Sequence, residues 1–101
     1  MVIKTILVDD NELFLESVEK YLSTFPYIRV IDRAVSSSDA IMKIKRQKPD
    51  LIFIDINMHT SNCFEAILNG KKLSDDLRII VLSYNNGDAY QALAMDAGAD
   101  G

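Results

Sequence analysis

Apolar and polar positions along this chain repeat with two periods, one typical of strands and one typical of helices. Short runs of branched and aromatic residues predict buried strands at 2–8, 51–55 and 78–83, and a more alternating run at 28–34 predicts an outer strand. Apolar residues at helical spacing, most of them preceded by capping side chains, predict four helices, at 12–23, 36–48, 64–73 and 89–97. The third helical pattern is interrupted at Asn69-Gly70, where a break in the helix is expected.

The order of these elements is strand then helix, repeated four times with short connections. Such alternation implies right-handed crossovers and a parallel sheet with helices on both faces. The doubly wound strand order 2-1-3-4 makes the first and third strands neighbours. No strand pattern follows the fourth helix before Gly101, so the expectation is one α/β domain over residues 1–101.

Composition and charge argue against several classes of protein for this chain. The chain has 101 residues, of which 49% are hydrophobic, enough for one packed core. A net charge of -4 argues against a nucleic-acid-binding surface in this segment. With one cysteine and no apolar stretch of about 20 residues, neither an intrachain disulfide nor a membrane span is expected. The N-terminal apolar run is too short for a secretory signal, and the predicted location is the cytoplasm.

Polar side chains stand at the carboxyl ends of three predicted strands: Asp9 and Asp10, Asp55, and Ser83. Because the carboxyl ends of parallel strands share one edge of a sheet, the three carboxylates should meet in one cleft. Clustered carboxylates repel unless a cation neutralises them, and Mg²⁺ prefers such oxygen ligands. A metal and a nearby hydroxyl could together hold a phosphoryl group, with Ser83 donating to a phosphoryl oxygen.

A structural explanation competes with this interpretation. Acids and serines after strands often cap the next helix, so Asp9, Asp10 or Ser83 taken singly are more often caps than ligands. Asp55 fits that explanation less well, because no helical pattern begins until Phe64. From the residues alone, both interpretations stay open.

Three motifs stand out along this chain. They are Leu-Val-Asp9-Asp10-Asn-Glu-Leu-Phe, Pro49-Asp50-Leu-Ile-Phe-Ile-Asp55-Ile-Asn-Met58, and Ile-Val-Leu-Ser83 followed by Ala97-Gly98-Ala99-Asp100-Gly101. Together they resemble the receiver domains of bacterial two-component response regulators. The resemblance spans almost the whole chain and implies a flavodoxin-like fold. The last motif, with the alanine-rich segment before it, is similar to receivers of LuxR/NarL-type regulators, which precede a helix-turn-helix DNA-binding domain.

The resemblance implies a role for each site residue. Asp55 would be the phosphoacceptor that attacks the phosphohistidine of a sensor histidine kinase. Asp9, Asp10 and Asp55 would hold Mg²⁺ together with the backbone carbonyl of Asn57, and Ser83 would be the switch hydroxyl. The domain would be regulatory rather than an enzyme, catalysing only its own phosphorylation and dephosphorylation, with transcription as the output.

The chain departs from the family's pattern in several places. His59 and Cys63 stand where receivers usually have proline and glycine, and Tyr84 follows the switch hydroxyl where a small residue is common. Receivers also continue into a fifth strand, which carries a lysine, and a fifth helix; neither is present here. The expected consequences are an exposed edge on the fourth strand and association through it into a homodimer or a higher oligomer.

Two other functions remain open at this point. A receiver-like fold could act without phosphorylation, as an interaction or dimerisation module. A Mg²⁺-dependent phosphohydrolase is less favoured, because Asn57 stands where that enzyme has a second acid. Among the remaining residues, Cys63 is expected to be an unactivated thiol, His59 a solvated loop residue, and Met42 a filler of the core.

Overall fold

The computed structural model describes residues 2–55 and 63–82, together with Gly98 and Asp100. Within them four parallel strands form one sheet in the order β2-β1-β3-β4, which confirms the predicted doubly wound topology. The predicted fourth helix, at 89–97, lies outside the described residues. The elements are β1 (Ile3–Val8), α1 (Glu12–Leu22), β2 (Ile28–Ala34), α2 (Ser37–Gln47), β3 (Leu51–Asp55), α3 (Cys63–Leu73) and β4 (Arg78–Leu82).

The starts of α1 and α2 are set by the capping side chains that the sequence indicates. The Asn11 side chain accepts a hydrogen bond from the Phe14 N–H (3.2 Å), and Ser36 Oγ accepts one from the Asp39 N–H (3.1 Å). Each bond satisfies one of the backbone donors that have no partner inside the first turn of a helix. The turn after β1 therefore ends at Asn11, and this leaves Asp9 and Asp10 at the edge of the sheet.

The two inner strands, β1 and β3, bury both of their faces, because alternate side chains enter two different core clusters. Ile6 and Val8 of β1 pack with β3, α2 and α3, whereas Leu7 packs on the opposite face with Leu15 and Leu22 of α1. This two-sided burial explains why the inner strands are mostly apolar runs, whereas the outer strand β2 includes charged residues. None of the helices in the described part of the chain is long and apolar enough to cross a membrane.

The third helix continues through Asn69-Gly70, so the predicted break is wrong. Asn69 Nδ2 donates to the Glu65 carbonyl one turn earlier (2.8 Å), and its polar group is thereby satisfied inside the helix. Gly70 is where α3 comes closest to its neighbours: a Cβ there would lie 3.3 Å from Leu77 Cδ2 and 3.4 Å from Ile44 Cδ1. The glycine permits close packing, which tertiary contacts stabilise against its low helix propensity.

Lys48 closes α2 in the left-handed region, with φ 49° and ψ 62°. Because a side chain is strained there, Lys48→Gly is expected to raise the free energy of unfolding by about 0.5–1 kcal/mol. The comparison variant is Lys45→Gly, which lies inside the same helix and should lower it by about 1 kcal/mol. Urea unfolding of both variants measures the difference, and a loss of stability in Lys48→Gly would contradict the prediction.

Candidate metal centre

Three carboxylates meet at the carboxyl edge of the sheet, as the topology predicts. Asp9 and Asp10 directly follow β1, and Asp55 is the last residue of the neighbouring strand β3. Val8 and Ile54 are register partners, so both strands end at the same level. One oxygen of each carboxylate lies within 4.8 Å of the others.

The cluster is largely removed from solvent. Asp9 is 1% exposed and Asp55 3% exposed, and Asp10 is partly buried. Asp9 Oδ1 accepts a hydrogen bond from the Asn11 N–H (3.0 Å), whereas its Oδ2 has no hydrogen-bond partner among the described residues. A buried oxygen without a partner is costly, and a cation is one of the few groups that could satisfy it among other carboxylates. Three hard oxygen ligands of this kind suit Mg²⁺.

Burial and the neighbouring carboxylates both act on the carboxyl group of Asp9. Burial raises the pKa of its carboxyl group to about 6, against the opposing hydrogen bond from the Asn11 N–H. The charge of Asp55 adds to the increase, as do the neighbouring Asp10 and Asp55 carboxylates, which can accept a hydrogen bond only from the protonated form of Asp9. The site therefore resists holding three negative charges, and a bound cation would remove that resistance.

Two residues of the predicted site, Asn57 and Ser83, lie outside the described residues, as do His59 and Tyr84. The backbone contact of Asn57 and the hydroxyl contact of Ser83 therefore stay predictions. Leu82, the residue before Ser83, is the register partner of Asp55 in the sheet.

Cys63 begins α3 and borders the carboxylate cluster. Its side chain is 2% exposed and belongs to the same core cluster as Ile54. Burial, followed by the negative charge of Asp55, raises the pKa of the thiol to about 11. The expectation of an unactivated thiol is confirmed, because a thiol with so high a pKa is almost entirely neutral at pH 7.

A second group of charges, which the sequence did not reveal, lies on the outer edge of β4. Lys71 Nζ is 2.6 Å from Asp100 Oδ2, and Arg78 Nη1 is 3.5 Å from Asp100 Oδ1. The Asp100 N–H donates to the Ile79 carbonyl (2.7 Å), and the Ile79 N–H donates to Asp100 Oδ2 (2.9 Å). The edge of β4 is therefore covered at Ile79, and the expectation of a fully exposed edge is wrong at that residue.

The fold and the site together define a doubly wound α/β domain with an acidic, cation-compatible cluster at the carboxyl edge of its sheet. Residues 5–101 match the response regulator receiver domain family. The chain belongs to that family and is a receiver domain of a two-component response regulator.

Named relatives show the same relationship. The chain is 35% identical over 100 residues to the response regulator protein VraR of Staphylococcus epidermidis, covering 99% of this chain and 48% of VraR. It is 29% identical to the transcriptional regulatory protein DegU of Brevibacillus brevis, covering 98% of this chain and 42% of DegU. The chain thus spans about half the length of the curated relatives it matches.

Solved structures match the fold over almost the whole chain. The response regulator domain of Thermotoga maritima CheB superposes with a TM-score of 0.89 at 28% identity, covering 99% of this chain and 75% of that one. A LuxR-family two-component response regulator from Aurantimonas sp. SI85-9A1 gives a TM-score of 0.91 at 22% identity, covering 98% of this chain and 71% of that one. The second likeness is evidence of the fold alone.

Proposed function

We propose that this domain accepts a phosphoryl group from a sensor histidine kinase onto Asp55 and thereby controls an output, which we take to be transcription. The observation that carries the proposal is the buried carboxylate cluster, with one Asp9 oxygen that no described residue satisfies. The relatives support transcription as the output, since DegU is a transcriptional regulatory protein. A cytoplasmic location fits a domain that accepts a phosphoryl group from a kinase and controls transcription.

Each residue of the cluster has a part in this reaction. Asp9, Asp10 and Asp55 would hold Mg²⁺, together with the backbone carbonyl of Asn57. The bound ion would offset the repulsion between the incoming phosphoryl oxygens and the carboxylates. An Asp55 oxygen then bonds to the phosphorus as the bond from phosphorus to the histidine nitrogen breaks, and the imidazole leaves with that electron pair. The Ser83 hydroxyl would donate to a phosphoryl oxygen and so favour the active conformation.

The proposed partners are a sensor kinase and a second copy of the domain, with DNA contacted only through a separate effector domain. A homodimer would use the outer edge of β4, which the described residues cover only with Asp100 at Ile79. A strand edge with free backbone groups favours association with another chain.

Phosphorylation can be tested directly with the purified chain. Incubation with Mg²⁺ and acetyl phosphate is expected to add one phosphoryl group by intact mass, and EDTA is expected to prevent the addition. Beryllofluoride with Mg²⁺ should shift the amide resonances of Asp9 and Asp55. Binding of Mg²⁺ without any adduct would favour the interaction module, and steady release of phosphate from phosphate esters would favour the phosphohydrolase.

A further inference from the structure

Lys71 and Asp100 tie the end of α3 to the start of β4. Lys71 Nζ contacts Asp100 Oδ2 at 2.6 Å and donates to the Leu77 carbonyl at the same distance. Asp100 in turn is bonded to both backbone groups of Ile79. The side chain of Lys71 is 19% exposed and that of Asp100 27%, so the two charged groups are more shielded from solvent than those of an ordinary surface ion pair.

Two glycines next to this pair mark close packing at the last turn of α3. Gly70, next to Lys71, leaves so little space that an added Cβ would lie 3.3 Å from Leu77 Cδ2 and 3.6 Å from Ile79 Cδ1. Gly98 lies against the stem of Lys71, where an added Cβ would come within 3.1 Å of Lys71 Cγ. The last turn of α3 therefore has little freedom to shift.

The other end of the same helix borders the carboxylate cluster. Cys63, the first residue of α3, is buried in the core cluster that contains Ile54, the neighbour of Asp55 in β3. An 11-residue helix is about 16 Å long and moves largely as one body, so a change in the position of its last turn also displaces its first.

We propose that the Lys71–Asp100 ion pair is a positioning pair for the Asp55 site, acting through α3. By holding the last turn of the helix on β4, the pair fixes Cys63 and the wall that it forms beside Asp55. The inference rests on the proposed function only in that the carboxylate cluster holds a divalent cation.

A displacement of α3 should affect the binding of Mg²⁺ and of Ca²⁺ to different extents. Mg²⁺ requires near-ideal octahedral geometry with short ligand distances, whereas Ca²⁺ tolerates six to eight ligands in flexible arrangements. A small displacement of α3 should therefore weaken Mg²⁺ binding more than Ca²⁺ binding. A general loss of stability would weaken both in the same proportion.

Lys71→Met and Asp100→Asn are each expected to weaken Mg²⁺ binding about fivefold, with a smaller change for Ca²⁺. Isothermal titration of the full chain with each metal alone measures both constants. Lys71→Arg keeps the charge, and its Mg²⁺ affinity should stay close to that of the wild type. Gly98→Ala leaves the charge unchanged, but it strains the backbone at a φ of 121° and displaces the Lys71 stem, so it should weaken Mg²⁺ binding in the same way. It also serves if Lys71→Met does not fold.

The matched controls remove the same charges without breaking the pair. Lys72→Met and Asp76→Asn change exposed residues, and their Mg²⁺ affinity should stay within twofold of the wild type. Equal Mg²⁺ constants for Lys71→Met and Lys72→Met would overturn the inference, as would parallel losses of Mg²⁺ and Ca²⁺ affinity, or a wild-type chain that binds no Mg²⁺. A wild type that binds Mg²⁺ but forms no adduct would reject the phosphoacceptor function alone.

Discussion

Replacing Asp55 by asparagine is expected to abolish the phosphoryl adduct completely. The amide has nearly the same shape, but its oxygen is not an effective nucleophile toward phosphorus and it carries no charge for a metal. Asp55 is the only residue of the cluster at the end of the inner strand β3, which lies between β1 and β4. Intact mass after incubation with Mg²⁺ and acetyl phosphate should show the adduct in the wild type and none in Asp55→Asn.

Asp50→Asn is the matched control for this experiment. Asp50 immediately precedes β3, so its replacement by asparagine removes the same charge at the opposite end of the strand. The adduct should form at the wild-type level in this variant. Both proteins should unfold cooperatively in urea, which excludes misfolding as the cause of a lost adduct. An adduct that persists in Asp55→Asn would place the phosphoacceptor on a different residue.

The fold was predictable because local signals agree with the global topology. The inner strands β1 and β3 are buried on both faces, so their sequences are mostly apolar. Asn11 and Ser36 mark the starts of two helices at the residues where they cap them. Short crossovers between parallel strands leave few arrangements, and the doubly wound order 2-1-3-4 is the one among them that we predict. The meeting of Asp9, Asp10 and Asp55 follows from that order without any further information.

The wrong predictions concern residues whose structure is decided by tertiary packing. Gly70 reads locally as a helix break, but its lack of a side chain lets α3 approach Leu77 and Ile44. Met42 was expected in the core and is 50% exposed. The buried residues of α2 are Ser37, Ala40 and Ile44, and a residue two positions from both Ala40 and Ile44 lies on the far side of the helix.

The finer features of the sites could not be read from the sequence. The unsatisfied oxygen of Asp9 depends on which of its two oxygens the Asn11 N–H reaches, and this is a matter of loop geometry. The Asp100 contacts join residues 21 to 29 positions apart, and no periodic pattern relates them. Burial opposes ionisation of Asp100, but the hydrogen bonds from Lys71 and Ile79 outweigh it and lower its pKa.

Asp9 should make the metal-free protein less stable as the pH rises from about 4 to about 6. In the folded chain the pKa of Asp9 is raised from 3.8 to about 6, chiefly by burial, so over this interval the folded state holds a proton that the unfolded state has released. The resulting loss of stability is about 3 kcal/mol, complete above the folded pKa. Asp32 and Asp100 have lowered pKa values and act in the opposite direction, but only as the pH falls below about 4.

Asp9→Asn removes this titration, and its free energy of unfolding at pH 7 without metal is expected to exceed that of the wild type by up to about 3 kcal/mol. The amide retains an oxygen for the Asn11 N–H and can donate to a neighbouring carboxylate. Excess Mg²⁺ should reverse the order, because the ion stabilises only a cluster that can bind it. Urea unfolding of both proteins at pH 4 and pH 7, with Mg²⁺ and with EDTA, measures the free energies of unfolding and their dependence on pH and metal. Equal stabilities at pH 7 in EDTA would show that the buried Asp9 carboxylate is satisfied without a cation, and the case for a metal centre at this edge of the sheet would then fail.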